Sequence, residues 1–414
     1  MKYVKFFLLP AVCALALVSC KKAEKDDADP IATTTQELLS KFGVAQMLAS
    51  LPIEADHVSE VWGAVSSSEA NGYDEEYMMC DLLSSPGAGV GDSPQSRAAT
   101  RAQYSKPIRD LIAAYLSEQA AAISREGGTK ASEADLVQQW LADLSSSGLQ
   151  IYWPYSSDWD GETMPLVTFD PGYGASDNYA WEIAWEDGAY KAMRQVYVDE
   201  AVAASRPVWV INSNDDSGFT PLELFSRAGV SPKKAGVSPK KPKKGLFDFD
   251  DDPDPETPRR NLFIKDFTML RNYDSWFAGA SEFFIQAGSV IADYGESEVN
   301  PGSFNPEITQ LMIVVKRRQV GLKIPYEAML LSNFPDELSE IALLITESDG
   351  GTRTTWKASA KVMIKSKSYG VDMEFPLYSN DDMVWRGPLS MDYLRKLGSD
   401  EGRFGDVRIT FKVE

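Results

Sequence analysis

The sequence predicts an α+β unit over residues 33–226, followed by an all-β antiparallel sandwich, C2-like or immunoglobulin-like, over residues 261–414. Three observations predict it. Apolar residues recur at helical spacing up to Gly148 and at strand spacing after it. Asp187-Gly188 joins two alternating runs, the strongest short signal of a hairpin. From Asn261 to the end, eight or nine short apolar runs are separated by turn residues, which indicates a sandwich.

The helices come first. Thr34 and Glu37 read as a capping box ahead of Leu38, Leu39, Phe42 and Met47, with Gly43 weakening the middle. A second helix covers residues 54–67 and lines Val58, Val61, Trp62 and Val65 along one face. Pro107, a good first-turn residue, opens a third with Ile108, Leu111, Ile112, Tyr115 and Leu116. A fourth runs from Ser132 through Leu136, Val137, Trp140, Leu141 and Leu144 and stops near Gly148. Residues 85–101 are a Gly/Ser/Pro/Ala-rich loop. Strands are then expected at 149–153, 165–169, 178–185, 189–198 and 207–211.

An exact tandem copy follows: Ala228-Gly229-Val230-Ser231-Pro232-Lys233-Lys234 recurs as Ala235 to Lys241, and an acidic run from Asp248 to Glu256 comes next. A seven-residue duplication inside a packed core would displace every contact beyond it, so residues 227–260 read as a linker. Nine strands are expected after it, at 262–270, 282–287, 310–316, 327–331, 340–346, 354–365, 369–376, 384–385 and 407–413, with one short helix at 391–397.

Composition excludes several function classes. The formal charge is −20, and cleavage of residues 1–19 would remove Lys2 and Lys5 and no acid, leaving −22. No basic footprint for nucleic acid is present. His57 is the only histidine, so a multi-His zinc site is excluded, and so is a Ser-His-Asp triad unless His57 serves as its base. Its place at a helix edge gives it a structural reading. Of the cysteines Cys13, Cys20 and Cys80, the first two belong to the N-terminal segment, and Cys80 follows Tyr77-Met78-Met79 as a buried, inert thiol.

That N-terminal segment carries the most specific signal. Lys2 and Lys5 precede an apolar run from Phe6 to Val18 that ends in Leu17-Val18-Ser19-Cys20. A membrane-spanning helix needs about 20 apolar residues, so the run is too short to span and sits where a signal peptide belongs. It resembles the signal peptide and lipobox of bacterial lipoproteins. The resemblance implies cleavage before Cys20, acylation of that cysteine, and anchorage to the cell envelope at the outer membrane. Residues 20–32, including Lys21-Lys22-Ala23-Glu24-Lys25-Asp26-Asp27, read as a solvated tether. They also resemble the export signal of Bacteroidetes-type surface lipoproteins.

Three constellations are candidates for chemistry. Trp153, Tyr155, Asp158, Trp159 and Asp160, with Glu162 beyond, place rings beside carboxylates, as a sugar-binding cleft requires; the competing reading is core aromatics ending in a polar turn. Asn212, Asn214 and Asp216 fall at alternate positions of a calcium-type loop closed by Glu223, although glycine is one place late. The competing reading there is a helix cap at Thr220. Asp349, Asp381 and Asp382 lie in two acidic turns that would bind calcium if they share one end of the sandwich; turns also favour Asp without any metal. Tyr273-Asp274-Ser275-Trp276-Phe277 reads as a plug on the edge of the core.

The lipobox, Asn212-Ser213-Asn214-Asp215-Asp216 after a strand, and Tyr273 to Phe277 in a β-rich half together resemble uncharacterised Bacteroidetes-type lipoproteins. The resemblance implies no activity, and no organic cofactor is expected. The expected function is a lipid-anchored binding module for a protein or glycan partner, more a binder than an enzyme. The alternative is a carboxylate-dependent hydrolase acting on glycans through Asp158, Asp160 or Glu162.

Overall fold

A computed structural model describes residues 35–84, 106–125, 132–214 (apart from 173, 187–188 and 192), 259–292 and 304–414 (apart from 350–351, 365 and 399). The expected signal peptide, tether, 85–101 loop, tandem repeat and Asp216 lie outside the described residues. Within them the chain is mostly antiparallel β-sheet, with helices on its N-terminal side.

Helix α1 (Lys41–Ser50) starts at Ser40, whose Oγ accepts from the Gly43 amide at 3.0 Å. Gly43 is there for space: a Cβ would sit 2.1 Å from the Glu37 carbonyl oxygen, so only glycine lets the preceding turn fold onto the helix. In α2 (Ala55–Ala70), the Glu54 amide donates to His57 Nδ1 at 2.9 Å. His57 is buried, and that burial lowers its pKa, in keeping with a neutral cap. Next come the short α3 (Met79–Leu82), which buries Cys80, then α4 (Ile108–Arg125) and α5 (Glu133–Ser146).

Eight strands accompany these helices. They are β1 (Glu76–Met78), β2 (Leu149–Tyr152), β3 (Leu166–Phe169), β4 (Asp177–Glu182), β5 (Trp185–Glu186), β6 (Ala189–Tyr190), β7 (Gln195–Asp199) and β8 (Val208–Ser213). Six form a sheet in the order β1-β2-β8-β3-β4-β7, antiparallel except for β3 beside β8. The expected hairpin is present: Trp185 pairs with Tyr190 at its tip and Asp177 with Asp199 at its base. Alternation along the strands gives the sheet two apolar faces. Ile151, Val167, Trp181, Trp209 and Ile211 meet the helices. Tyr152, Leu166, Ala180, Val198, Val208 and Val210 point the other way.

The C-terminal half holds β9 (Arg259–Met269), β10 (Ser281–Ala292), β11 (Phe304–Val315), β12 (Ile324–Pro335), β13 (Leu338–Glu347), β14 (Arg353–Ile364), β15 (Lys367–Tyr378), β16 (Asp382–Ser390), β17 (Glu401–Phe404) and β18 (Val407–Val413). Helix α6 (Glu200–Ala203) precedes β8, and α7 (Met391–Leu397) is capped by Ser390. One sheet runs β12-β9-β18-β17; the other runs β11-β10-β13-β14-β15, with β16 also on β13. Both feed one core that includes Phe267, Phe283, Leu343, Ile345, Phe375 and Phe411. The second sheet curls into a half-barrel. Its β13 pairs with β14 through Leu338 and Glu340 and with β16 from Glu340 onward, which frees the β14–β15 hairpin to bend over β10. Gly288 permits the approach, because a Cβ there would lie 2.0 Å from Met373 Sδ. Gln286 Nε2 ties the layers by donating to the Pro376 carbonyl at 2.6 Å.

The two halves pack directly on each other. Trp276 and Phe277, in the loop before β10, lie on the outward face of the N-terminal sheet, with ring centroids 3.9 Å apart. Trp276 Nε1 donates to the Ser176 carbonyl at 2.9 Å. Polar contacts ring this plug. Asp74 Oδ2 accepts from the Ala280 amide at 2.8 Å. Lys316 and Arg318 both pair with Glu69, and Arg317 grips Glu200 with two nitrogens at 2.6 and 3.1 Å. Glu75 Oε1 accepts from the amide and hydroxyl of Ser156 at 3.0 and 2.9 Å. Burial, and then the charge of Asp74, push Glu75 up to about 7.

Candidate functional site

The structure gathers all five residues of the aromatic constellation. Trp153, Tyr155, Asp158, Trp159 and Asp160, together with Arg206, line one cleft of about 100 Å³. Most of them are already occupied. Trp153 is buried and packs edge-on against Trp159 and Trp209, at 5.5 and 6.0 Å. Trp159 Nε1 donates to the Thr163 carbonyl. Tyr155 takes a left-handed backbone (φ 60°) and donates its hydroxyl to Glu200 at 3.0 Å. Asp160 accepts from the amides of Glu162 and Thr163 at 2.9 and 2.7 Å and from the Thr163 hydroxyl. Those bonds hold Asp160 down to about 2, the wrong direction for a proton donor. Ligand sites usually enclose roughly 300–1,000 Å³, so this cleft is small for a sugar.

In the calcium-type loop, the side-chain amide nitrogens of the two asparagines donate within the protein, while Asn212 Oδ1 is buried with no hydrogen-bond partner. Asn212 Nδ2 donates to the Phe277 and Ala278 carbonyls at 3.1 and 2.6 Å, clamping the plug. Asn214 Nδ2 donates to Glu76 and Gln150, both at 3.2 Å.

The two acidic turns do come together at one end of the curled sheet. The Asp349 amide donates to Asp381 Oδ1 at 3.4 Å, and Asp381 Oδ2 accepts from the Tyr378 amide at 2.8 Å. Asp382 lies directly opposite Glu347 in the β13–β16 ladder. Carboxylate oxygens of Glu347, Asp349 and Asp382 fall within 4.8 Å of one another. In a second triplet, carboxylate oxygens of Asp274, Glu282 and Glu347 lie equally close to one another. Glu347 belongs to both. It is fully buried, no N–H or hydroxyl donor reaches either oxygen, and the Asp274 carboxyl lies against it. Burial and the acids beside it push Glu347 up to about 12, and burial with Asp382 and Asp381 pushes Asp349 up to about 6. A buried polar group left unpaired costs about 1–3 kcal/mol, more when charged. Sequence reasoning found Asp349, Asp381 and Asp382 but missed Asp274, Glu282 and Glu347.

Next to this end, the curl of the second sheet encloses a trough of about 520 Å³. Phe284, Ile308 and Leu377 supply apolar surface; Gln310, Arg353 and Tyr378 supply polar groups. Sequence reasoning missed it because its walls come from β10, β11, β14 and β15, which meet only through the curl.

No family model matches the chain, and no curated protein matches it in sequence.

Proposed function

We propose that this chain is a lipid-anchored protein of the bacterial cell envelope, held at the outer membrane by an acylated Cys20, and that its body binds a glycan or protein partner. In this reading the C-terminal half is an antiparallel β-sandwich, and its curled sheet is the binding surface. The observation that carries it is the trough: its volume fits a ligand, and its lining mixes apolar surface with amide, guanidinium and phenol groups that fix orientation. Anchorage rests on the lipobox-like Leu17-Val18-Ser19-Cys20, and among the described residues no helix is long and apolar enough to cross a membrane. The pinned state of Asp160 and the small volume of its cleft weigh against a carboxylate hydrolase there.

The test screens the purified chain against neutral and acidic oligosaccharides and extended peptides, reading both binding and turnover. Binding is expected without turnover. Arg353→Ala with Gln310→Ala weakens it at least tenfold, and Asp158→Asn leaves it unchanged. In cells, Cys20→Ala moves the protein from the membrane fraction to the soluble one. Hydrolysis of any of these probes, or binding indifferent to the trough variants, overturns the reading.

A further inference from the structure

We propose that Glu347, together with Asp274, Glu282, Asp349 and Asp382, forms a divalent-cation site at the end of β13, and that the cation is calcium.

Three independent features of the centre support this. The first is convergence. Oxygens around one calcium ion sit about 2.3–2.6 Å from it, so any two are at most about 5 Å apart. Within each of the two triplets, which have Glu347 in common, one oxygen from every residue lies within 4.8 Å of the others, the spacing that ligands of one cation need.

The second is the state of Glu347. Its side chain is fully buried, no N–H or hydroxyl donor reaches either oxygen, and its carboxylate lies among the other acids, with the Asp274 carboxyl against it. Buried polar groups in native proteins are almost always satisfied, and an unsatisfied one calls for a ligand. A cation satisfies two oxygens at once.

The third is charge. The charged groups that weigh most on Glu347 are Asp274, Asp349 and Asp382, and on Asp349 they are Asp382 and Asp381, all of them acidic. Among the described residues no Lys or Arg forms an ion pair with Glu347, Asp349 or Asp382, although basic residues pair with other acids throughout the chain. A fully buried carboxyl such as Glu347, with acids beside it and no basic residue paired to it, must take up a proton or a cation.

The donor set selects the metal. It is all oxygen, with no imidazole or thiolate, which suits hard cations and disfavours zinc and copper. Two of the acids are exposed, leaving a side open to water, and calcium accepts irregular shells of six to eight oxygens more readily than magnesium does. None of the site's five acids lines the trough, although Asp381, which accepts from the Asp349 amide, does.

The experiment strips the purified full chain with chelator, then titrates it with calcium chloride, with magnesium chloride as comparison, by calorimetry and thermal unfolding. One calcium per chain is expected, together with a rise in Tm, and magnesium binds at least tenfold more weakly. Asp349→Asn and Asp382→Asn, at exposed positions that leave the core intact, each weaken calcium at least tenfold. Glu347→Gln removes the calcium-dependent rise while melting no lower than the parent in chelator. The proposal is overturned if neither cation binds up to about 10 mM, above the ~0.1–1 mM typical of weak extracellular calcium modules. It is also overturned if calcium binds the Asp349→Asn/Asp382→Asn double variant as tightly as the parent. That second variant decides the matter should Glu347→Gln fail to fold.

Discussion

Phe277→Ala will destabilise the chain by about 3–5 kcal/mol, the range for removing a fully buried aromatic ring, out of the 5–15 kcal/mol typical of a whole domain. The ring is wholly buried in the cluster that includes Tyr152, Val208 and Val210, and it packs at a tilt against Trp276. The loop around it cannot collapse to fill the void. Asn212 holds the carbonyls of Phe277 and Ala278, Asp74 holds the amide of Ala280, and Trp276 is tied to Ser176. Urea unfolding followed by fluorescence and circular dichroism measures the loss. The N-terminal half will unfold first in the variant, because the outer face of its sheet loses its cover. Met363→Ala, at a side chain half exposed on β14, is the control and stays within about 0.5 kcal/mol of the parent. A loss below about 1 kcal/mol for Phe277→Ala contradicts the idea that this loop joins the halves.

Stability will fall as pH rises from 5 to 8, and Glu75 will account for a large part of the fall. In the folded chain Glu75 is raised from 4.5 to about 7, by burial first and by Asp74 second; Lys316, Ser156 and Arg318 pull the other way. Asp74 is raised as well, again by burial. A carboxyl group with a raised folded pKa holds its proton more tightly when folded. Its stabilising contribution is therefore complete below about 4.5 and is lost as pH climbs through about 7. At 1.36 kcal/mol per pKa unit, the full excursion is on the order of 3 kcal/mol. Urea midpoints at pH 5, 6, 7 and 8 test this with Glu75→Gln alongside. The variant starts lower and its curve is flatter. Glu75 accepts with both oxygens, from Ser156 on one and Tyr155 on the other, whereas an amide keeps a single accepting oxygen and turns a donor NH2 toward the remaining N–H. Parallel curves would assign the pH dependence to other groups.

What the sequence made legible, and what it hid, follows from the range over which each signal acts. Helix and strand identity is local. Leu136, Val137, Trp140 and Leu144 recur at helical spacing and are buried as that spacing predicts, and residues 391–397 form the expected helix. Strand lengths were underestimated. In β10 and β15, polar and small residues extend pairing to twelve residues beyond the apolar run, because a ladder bonds through the backbone whatever the side chain. Strands β1 and β17 are too short to show a period. Asp349 and Asp382 were visible because acids in turns are a local pattern. Glu347 was hidden at the end of the apolar run from Ile341 to Ile345, where an acid looks like the strand's exit into solvent. Its signal was parity: it shares a strand face with Leu343 and Ile345. Asp274 and Glu282 reach it only through tertiary structure, and so do Trp276 and Phe277 on their distant sheet.

The covering of the N-terminal sheet by Phe277 has a bearing on biosynthesis. Polypeptides emerge from the ribosome N-terminus first, and early units tend to fold before later ones exist. Here the last strand of that sheet ends at Ser213, while the residues that shield Val208 and Val210 are made more than sixty positions later. An emerging nascent chain carries a bare oily patch through that interval. Its maturation is consequently deferred until the second half has been delivered, and a cut in the repeat-bearing stretch yields a sticky fragment in place of a self-sufficient module.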